Sequence, residues 1–518
     1  MFIRRRRSGK TVSFADPPWN EDSPQWQELD QELAPDHLGR LVVASIEALD
    51  LSALYASYSG VGSKPYRPDL MLRIALIEIQ RGRHSPTHWF QDTLENNVLR
   101  WAAFGIQPSR TCWHDFFDRA ALCLEAWNHM VLNQAQERGL TTAERAAQDG
   151  SLVAANASRH RLLNQERLEK RLTQLDAALG MDPAAPPPQS AGALETVSDA
   201  VPGWMARTPT GRLGQRRRYV KAQDHLQELL SANARRNPAK RREPKKIVVS
   251  GSDPESVPNR DKEKVFRPLY NVQLLCDLDS PFILGYDVLA RSSDAGTLEP
   301  MLERVSDLVG HKPRQLLADA TYVTGADLAL CHVAGVTLYG PWMENDFSGK
   351  AAKYLDKRQF TWLPEENAYR CPQGHRLTAI GKERRQHTDG RSEMHYRYRC
   401  AGALCRTCPL QTTCARNPTR GRSLRRSEYE DLIEVHKARM DTPEAKELYK
   451  LRKQTVELNY ADFKEHRRLR RFWGRGVNRA QAQVGFAVLA HNLLALAHSP
   501  TPSENQLALI ATSRENGP

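Results

Sequence analysis

Apolar positions recur at helical spacing through the first quarter of the chain. Leu38, Val42, Ile46 and Leu49 repeat every three to four residues, the period of one helix face. Pro68 suits the first turn of a second helix, and Gly82 can end it. A third helix begins near Ser85-Pro86 and a fourth near Thr111, so residues 35–135 predict an all-α unit with short loops. Around Ala146 the character changes. Ser151–Ala157 is short and strand-compatible. Residues 160–179 return to helix, and residues 182–203, rich in Pro, Ala, Gly and Ser, read as a linker. A helix is expected over Tyr219–Ala232. Strand patterns follow at Ile247–Ser250, Leu269–Asp277 and Phe282–Ala290, the last two joined as a hairpin by Asp279-Ser280-Pro281. Next come a helix over Thr297–Leu308, a buried strand at Gln315–Ala318, a helix at Gly325–His332 and a strand at Val336–Gly340. That alternation indicates an α/β layer. Residues 345–425 interrupt it with few strong apolar runs. A helical pattern runs from Ser427 to about Arg471, restarted at Thr442-Pro443-Glu444, and Val477–His498 is a last, mostly apolar helix.

Composition narrows the partners. The 518 residues allow roughly three or four units, and 26% charged residues among long periodic stretches exclude a wholly disordered chain. Lys+Arg exceed Asp+Glu by 74 − 61 = 13. Residues 207–246 alone carry 13 Lys/Arg against 3 acids. This surplus points to a polyanion, nucleic acid before membrane. The basic start MFIRRRRSGK is followed by no apolar stretch, and the run Val484–Ala497, interrupted by His491 and Asn492, is shorter than a bilayer span. A cytoplasmic protein with no membrane partner is expected. Of nine cysteines, Cys112, Cys123, Cys276 and Cys331 sit among apolar residues and read as core. The other five, Cys371, Cys400, Cys405, Cys408 and Cys414, share one 44-residue window, which in an intracellular protein suggests metal rather than disulfides.

Three acids stand out. Asp149 precedes the strand-like run, and Asp319 follows Leu316-Leu317-Ala318. Aspartate is poor in a strand interior, so each is either a turn or cap residue or a placed carboxylate. Glu457 shares a helix face, within about 60°, with Lys450, Lys453 and Lys464. That face is either a solvated one with ordinary ion pairs or an acid among phosphate-binding lysines. Phosphodiester chemistry with two divalent cations needs two or three carboxylates converging from separate elements.

The residues together resemble bacterial insertion-sequence transposases of the DDE class, from about Gln31 to His498. ELAPDHLGRLV and YRPDLMLRIALIEIQRGRHS resemble their helical N-terminal domain. DGSLVAANAS resembles the first catalytic strand, RPLYNVQLLCD with GYDVLARSSDAGTLEPML the central hairpin and next helix, and LLADATYVTGADL the second catalytic Asp. TVELNYADFKEHRRLRRFWGRG resembles the region of the catalytic Glu. Tyr449 and Arg452 resemble the preceding Tyr–Arg pair, displaced by one residue, so that Lys453 occupies the Arg spacing. The resemblance implies an RNase H-like α/β fold, a mixed sheet with flanking helices, plus an all-α N-terminal domain and a cysteine-rich insert. It implies that Asp149, Asp319 and Glu457 bind two Mg²⁺ (or Mn²⁺) for DNA cleavage and strand transfer at terminal inverted repeats. Glu465 is the nearest competitor to Glu457. Synapsis of two DNA ends implies a homodimer or higher assembly. The rivals are an inactive or repurposed DNA-binding protein and a nuclease that only hydrolyses.

Cys400-x₄-Cys405-x₂-Cys408-x₅-Cys414, with Cys371 and His375 upstream, fits a structural Zn²⁺ held by a subset of these residues. The spacing also matches one iron–sulfur pattern, and metal-free thiols remain a third reading. For DNA, the candidates are Lys464, Lys453, Arg452, Tyr449, Arg467, Arg468, Arg470 and Arg471; Phe472 and Trp473 among them suit either DNA or a core. The expected plan is a disordered arm 1–30 and a helical DNA-binding domain 31–138. The catalytic domain begins over 139–344, with a helical, basic insert at 159–246. The cysteine-rich insert 345–426, the last catalytic part 427–498 and a disordered tail 499–518 complete it.

Overall fold

Pro68 and Pro86 each stand in the first turn of a helix, Pro68–Gln80 and Pro86–Glu95. Proline is well placed there, because the first N–H groups of a helix have no partner within it. Ser85, Asn96 and Ser109 then cap Pro86–Glu95, Asn97–Ala102 and Arg110–Ala120 with their side chains. These elements belong to a computed structural model that describes residues 12–60, 62–180, 201–343, 354–386 and 390–499. Helices and mixed sheets make the fold mixed α/β. The described residues divide into two units, one drawn from 1–142, 149–293 and 455–518, the other from 143–148 and 294–454. These divisions cut across the expected 139–344, 345–426 and 427–498 boundaries.

In the first unit the N-terminal helices pack around Val477–His498, from the far end of the chain. Gln80 Nε2 donates to Ala490 O at 2.5 Å, and Asn128 Nδ2 to Gly485 O at 3.4 Å. At 22 residues this helix is long and apolar enough to cross a membrane, which corrects the expectation that its apolar run is too short. Most of that apolar surface is nevertheless buried within the protein. Residues 12–30 also differ from the expected loose arm. Pro24–Glu32 is helical, Trp26 stacks on Trp101 with centroids 6.3 Å apart, and Phe14 meets Tyr55 edge-on at 5.1 Å. A few aromatic anchors hold a segment whose average composition is polar.

The same unit holds a satellite core. Gln165–Ala178 and the 26-residue helix Pro209–Ala234, longer than expected at both ends, enclose Leu168, Leu175, Tyr219, Leu226 and Val249. Residues 181–200, most of the expected linker, lie outside the described residues. The strand Phe266–Asp277 pairs antiparallel with Ile283–Leu289, Asn271 opposite Leu289 and Cys276 opposite Ile283, as the hairpin pattern predicts. Val257–Arg260 shares that edge, and the strand Arg145–Ala154 flanks the other. Arg145–Ala154 begins earlier than the expected Ser151.

In the second unit, Ala146 and Ala147 pair in parallel with Leu316 and Leu317, and Gln315–Leu317 pairs in parallel with Thr337–Tyr339. Helix Leu298–Val309 ends at Gly310 with φ 86°, the left-handed cap that glycine favours. The unit's second layer is a five-stranded antiparallel sheet in the order Ser423–Ser427, Ser392–Cys400, Arg376–Gln386, Ala368–Arg370, Thr361–Leu363. Two helices follow, Glu430–Asp441 and Pro443–Gln454. The helical run then breaks at Thr455, with φ −118° and ψ −92°. Val456–Glu465 is therefore a separate helix, and it belongs to the first unit. Lys450 and Lys453 do not continue the helical face of Glu457, contrary to the sequence-based expectation.

Candidate functional site

Helix Val456–Glu465 buries Val456, Tyr460 and Phe463, at the i, i+4, i+7 spacing of one face. Tyr460 lies against two strands. Its hydroxyl is 2.9 Å from Asp149 O and 2.7 Å from Val272 O. One turn further on, Lys464 Nζ donates to Ser151 Oγ. The helix is thus fixed along the strand that carries Asp149, and Glu457, exposed, sits one turn before Tyr460 on the neighbouring stripe. Asp149 Oδ1 accepts the Gly150 N–H at 2.9 Å. Burial, helped by Lys262 and Arg470, pushes the Lys464 ammonium down to about 8, against the pull of Asp149 and Glu263. Burial also pushes the Cys276 thiol up to about 12; Asn459 opposes this and Asp149 adds to it. Asp149, Glu457, Tyr460 and Lys464 therefore belong to one unit, with the Lys464 ammonium acting on Asp149.

Asp319 lies in the second unit. It follows Gln315–Leu317 and caps the turn Ala320–Tyr322, accepting from Thr321 N–H at 2.7 Å and Thr321 Oγ1 at 2.5 Å. In the parallel register Ala147 stands opposite Leu317. Among the described residues, no three His, Cys, Asp or Glu side chains stand as a ready-made metal group.

The DNA-binding candidates separate into surface and interior. Arg467 is buried at 6% exposure, and its guanidinium is spent on Asp462, at 2.7 Å, and on Gln80. Phe472 is likewise core, and Trp473 packs edge-on against Phe117 at 4.9 Å. Arg468, Arg470 and Arg471 are exposed; Arg470 pairs with Glu465 and, at 3.7 Å, with Glu263. That pairing holds Glu465, the competitor of Glu457. Tyr449, Arg452 and Lys453 lie in the second unit, with Arg452 buried and Lys453 exposed.

The five clustered cysteines are also brought together. Cys400 hydrogen-bonds Cys405 and feels Cys371 and Cys408, while Cys414 feels Cys405, Cys408 and Cys371. Burial pushes the Cys400 thiol up to about 12. The Arg422 N–H donates to Cys405 Sγ at 3.4 Å, and all five are free of disulfides. His375 enters only through its carbonyl, which accepts the Cys371 N–H at 2.8 Å.

Residues 370–497 match the transposase DDE domain family. About a quarter of the chain is thus similar to a transposase DDE domain. The matched stretch contains Glu457, Tyr460, Lys464 and all five clustered cysteines, whereas Asp149 and Asp319 precede it. No curated protein and no solved structure matches the chain. Sequence reasoning missed Tyr460 and Ser151 as supports of the Glu457 helix. The signal for Tyr460 was its i+3 spacing from Glu457. Nothing local marks Ser151, whose role comes from a partner 313 residues away.

Proposed function

We propose that the chain is a DNA transposase with an RNase H-like catalytic fold, which binds the terminal inverted repeats of its element, cleaves there and joins the ends to target DNA. The observation that carries this reading is the anchoring of the Glu457 helix on the Asp149 strand by Tyr460 and Lys464, with the Glu457 helix inside the stretch similar to a transposase DDE domain. Asp149, Asp319 and Glu457 would hold Mg²⁺ or Mn²⁺, whose hard charge suits carboxylate oxygens. Two such ions would supply activation of the attacking oxygen and stabilisation of the leaving one. The chain's own groups do the rest. Tyr460 fixes the strand backbone at Asp149. Lys464, close to neutral pH in its titration, offers a short-range cation to a phosphate oxygen. Arg468, Arg470, Arg471, Lys453 and Arg452 would offer charge to the DNA backbone, with Tyr449 as a further DNA contact. Synapsis of two ends calls for a dimer at least, in the cytoplasm with the nucleoid.

A structural Zn²⁺ held by four of Cys371, Cys400, Cys405, Cys408 and Cys414 is the second part of the reading. The soft thiol set suits zinc by its chemistry, although among the described residues the side chains do not stand as a ready-made metal group. Metal analysis of the purified protein tests it: one zinc per chain is expected, and iron with sulfide would favour a cluster instead.

The activity is tested with a supercoiled plasmid carrying the element's ends and Mg²⁺, wild type beside Asp149→Asn, Asp319→Asn and Glu457→Gln. Cleavage and joining by wild type alone, with DNA binding kept in all four, is the expected outcome. Binding without cleavage by wild type would establish an inactive DNA-binding protein. Cleavage without joining would establish a nuclease, and cleavage by Glu457→Gln would remove Glu457 from the site.

A further inference from the structure

The antiparallel sheet over residues 361–427 has two unlike faces. Successive residues of a strand point to opposite sides. Trp362, Tyr369, Leu377, Tyr398 and Leu424 share the side that packs with Phe360 and the cysteines. The register therefore puts Arg370, Arg376, Arg397, Arg399 and Arg425 on the other side. Arg370, Arg376, Arg399 and Arg425 are exposed and Arg397 is half-buried. Arg370 stands directly opposite Arg376, and Arg397 directly opposite Arg425. Like charges directly across an antiparallel pair repel and destabilise it. Glu383 reaches Arg425 at 3.3 Å and Arg397 at 3.9 Å, and Glu366 reaches Arg376 at 2.8 Å. No ion pair holds Arg370 or Arg399 among the described residues. Thr361, Thr378 and Ser423 add exposed hydroxyls to this side.

We infer that this arginine face is a docking surface for the phosphate backbone of duplex DNA. Glu383 offsets the Arg397–Arg425 pair, but Arg370 faces Arg376 with no acid of its own among the described residues, and an anionic partner laid across this face would offset that repulsion. Arginine presents a rigid fork of donors that matches phosphate oxygens. Contacts to backbone phosphates position a duplex without reading its base edges. The other face supplies stiffness, because the buried tyrosines, Trp362 and the cysteine cluster hold the strands in register. The choice of DNA as the polyanion rests on the function proposed above.

The test uses the full chain in EDTA, binding a random-sequence 30-base-pair duplex over a range of NaCl. Arg370→Ser with Arg399→Ser removes the two arginines without acid partners, and melting curves confirm folding. The slope of log K against log[NaCl] is expected to fall by about 2, at ~0.9 per phosphate contact, with affinity lost equally for unrelated sequences. Arg370→Lys with Arg399→Lys is expected to keep the slope. An unchanged slope in a folded double Ser variant overturns the proposal and leaves the transposase reading standing. Failure of wild type to bind any duplex overturns both. Binding that depends on this face without cleavage at the element ends overturns the transposase reading alone.

Discussion

Replacing Tyr460 by Phe removes one oxygen atom and leaves the ring in place, so the packing of helix Val456–Glu465 should survive. The hydroxyl lies within hydrogen-bond reach of two main-chain carbonyls, Asp149 O and Val272 O, in a residue only 7% exposed. One bond made by a single proton contributes roughly 1 kcal/mol net, and a buried carbonyl left without it costs about 1–3 kcal/mol. Because the carbonyls also belong to strands, the lower half of that range applies, giving about 1–2 kcal/mol in all. With a urea m-value of about 2–3 kcal/mol/M, the midpoint should fall by roughly 0.5 M. Equilibrium urea unfolding followed by tryptophan fluorescence measures it. Mg²⁺-dependent cleavage measured beside it should fall more steeply than stability at low denaturant, since the lost bond sits at Asp149. An unchanged midpoint together with unchanged cleavage would refute the claim that Tyr460 fixes this helix to the Asp149 strand.

Glu78 is fully buried, and burial with the nearby Asp92 carboxylate pushes it up to about 8 despite Arg81 and Arg83. Its folded value lies above the unfolded 4.5, so its contribution is complete below that pH and is lost as pH rises through 8. Glu78→Gln should therefore match wild type near pH 4.5 and exceed it near pH 8.5 by on the order of 1–2 kcal/mol in thermal or urea unfolding. Lys464 shows the opposite sense, folded about 8 against 10.5 unfolded. In EDTA, wild type should gain stability relative to Lys464→Met as pH rises from 8 to 10.5, by on the order of 1 kcal/mol after allowance for its partial exposure; a flat difference would count against the burial of its charge. Gly421 has φ 81°, and a Cβ there would stand 2.0 Å from Cys400 O. Gly421→Ala should cost about 3 kcal/mol or more and, in the zinc reading, release the metal, both visible in a melt with metal analysis.

Elements with strong local signals were legible. The proline starts at Pro68 and Pro86, the glycine end at Gly310 and the hairpin turn at residues 279–281 all stand where their backbone preferences put them. The break at Thr455 was not legible, since neither glycine nor proline marks it. Its residue joins the two units, and tertiary packing sets its backbone. The sheet over 361–427 was missed for a different reason. Its strands alternate arginine with apolar residues on one side only, as in Arg376-Leu377-Thr378, and such half-buried strands carry little average hydrophobicity. Asp149 and Glu457 stood out as an acid beside a strand and an acid on a lysine-bearing helix face, and the resemblance implied their role. Their physical support, Tyr460 and Ser151, depends on contacts hundreds of residues apart, which local periodicity does not carry.

The helix Val477–His498 packs among the N-terminal helices, yet it is made several hundred residues after them. Gln80 meets Ala490 across 410 residues of chain. At roughly 5–20 residues per second of synthesis, helix Pro68–Gln80 waits on the order of half a minute or more for the element that covers it. Its apolar face must be shielded during that interval by a chaperone or by provisional packing. A chain released before residue 477 would have its N-terminal half, the Asp149 strand and the Glu457 helix, but no core to close them on. Translation through to that helix is therefore a checkpoint on activity, and shortened products should aggregate rather than compete for DNA.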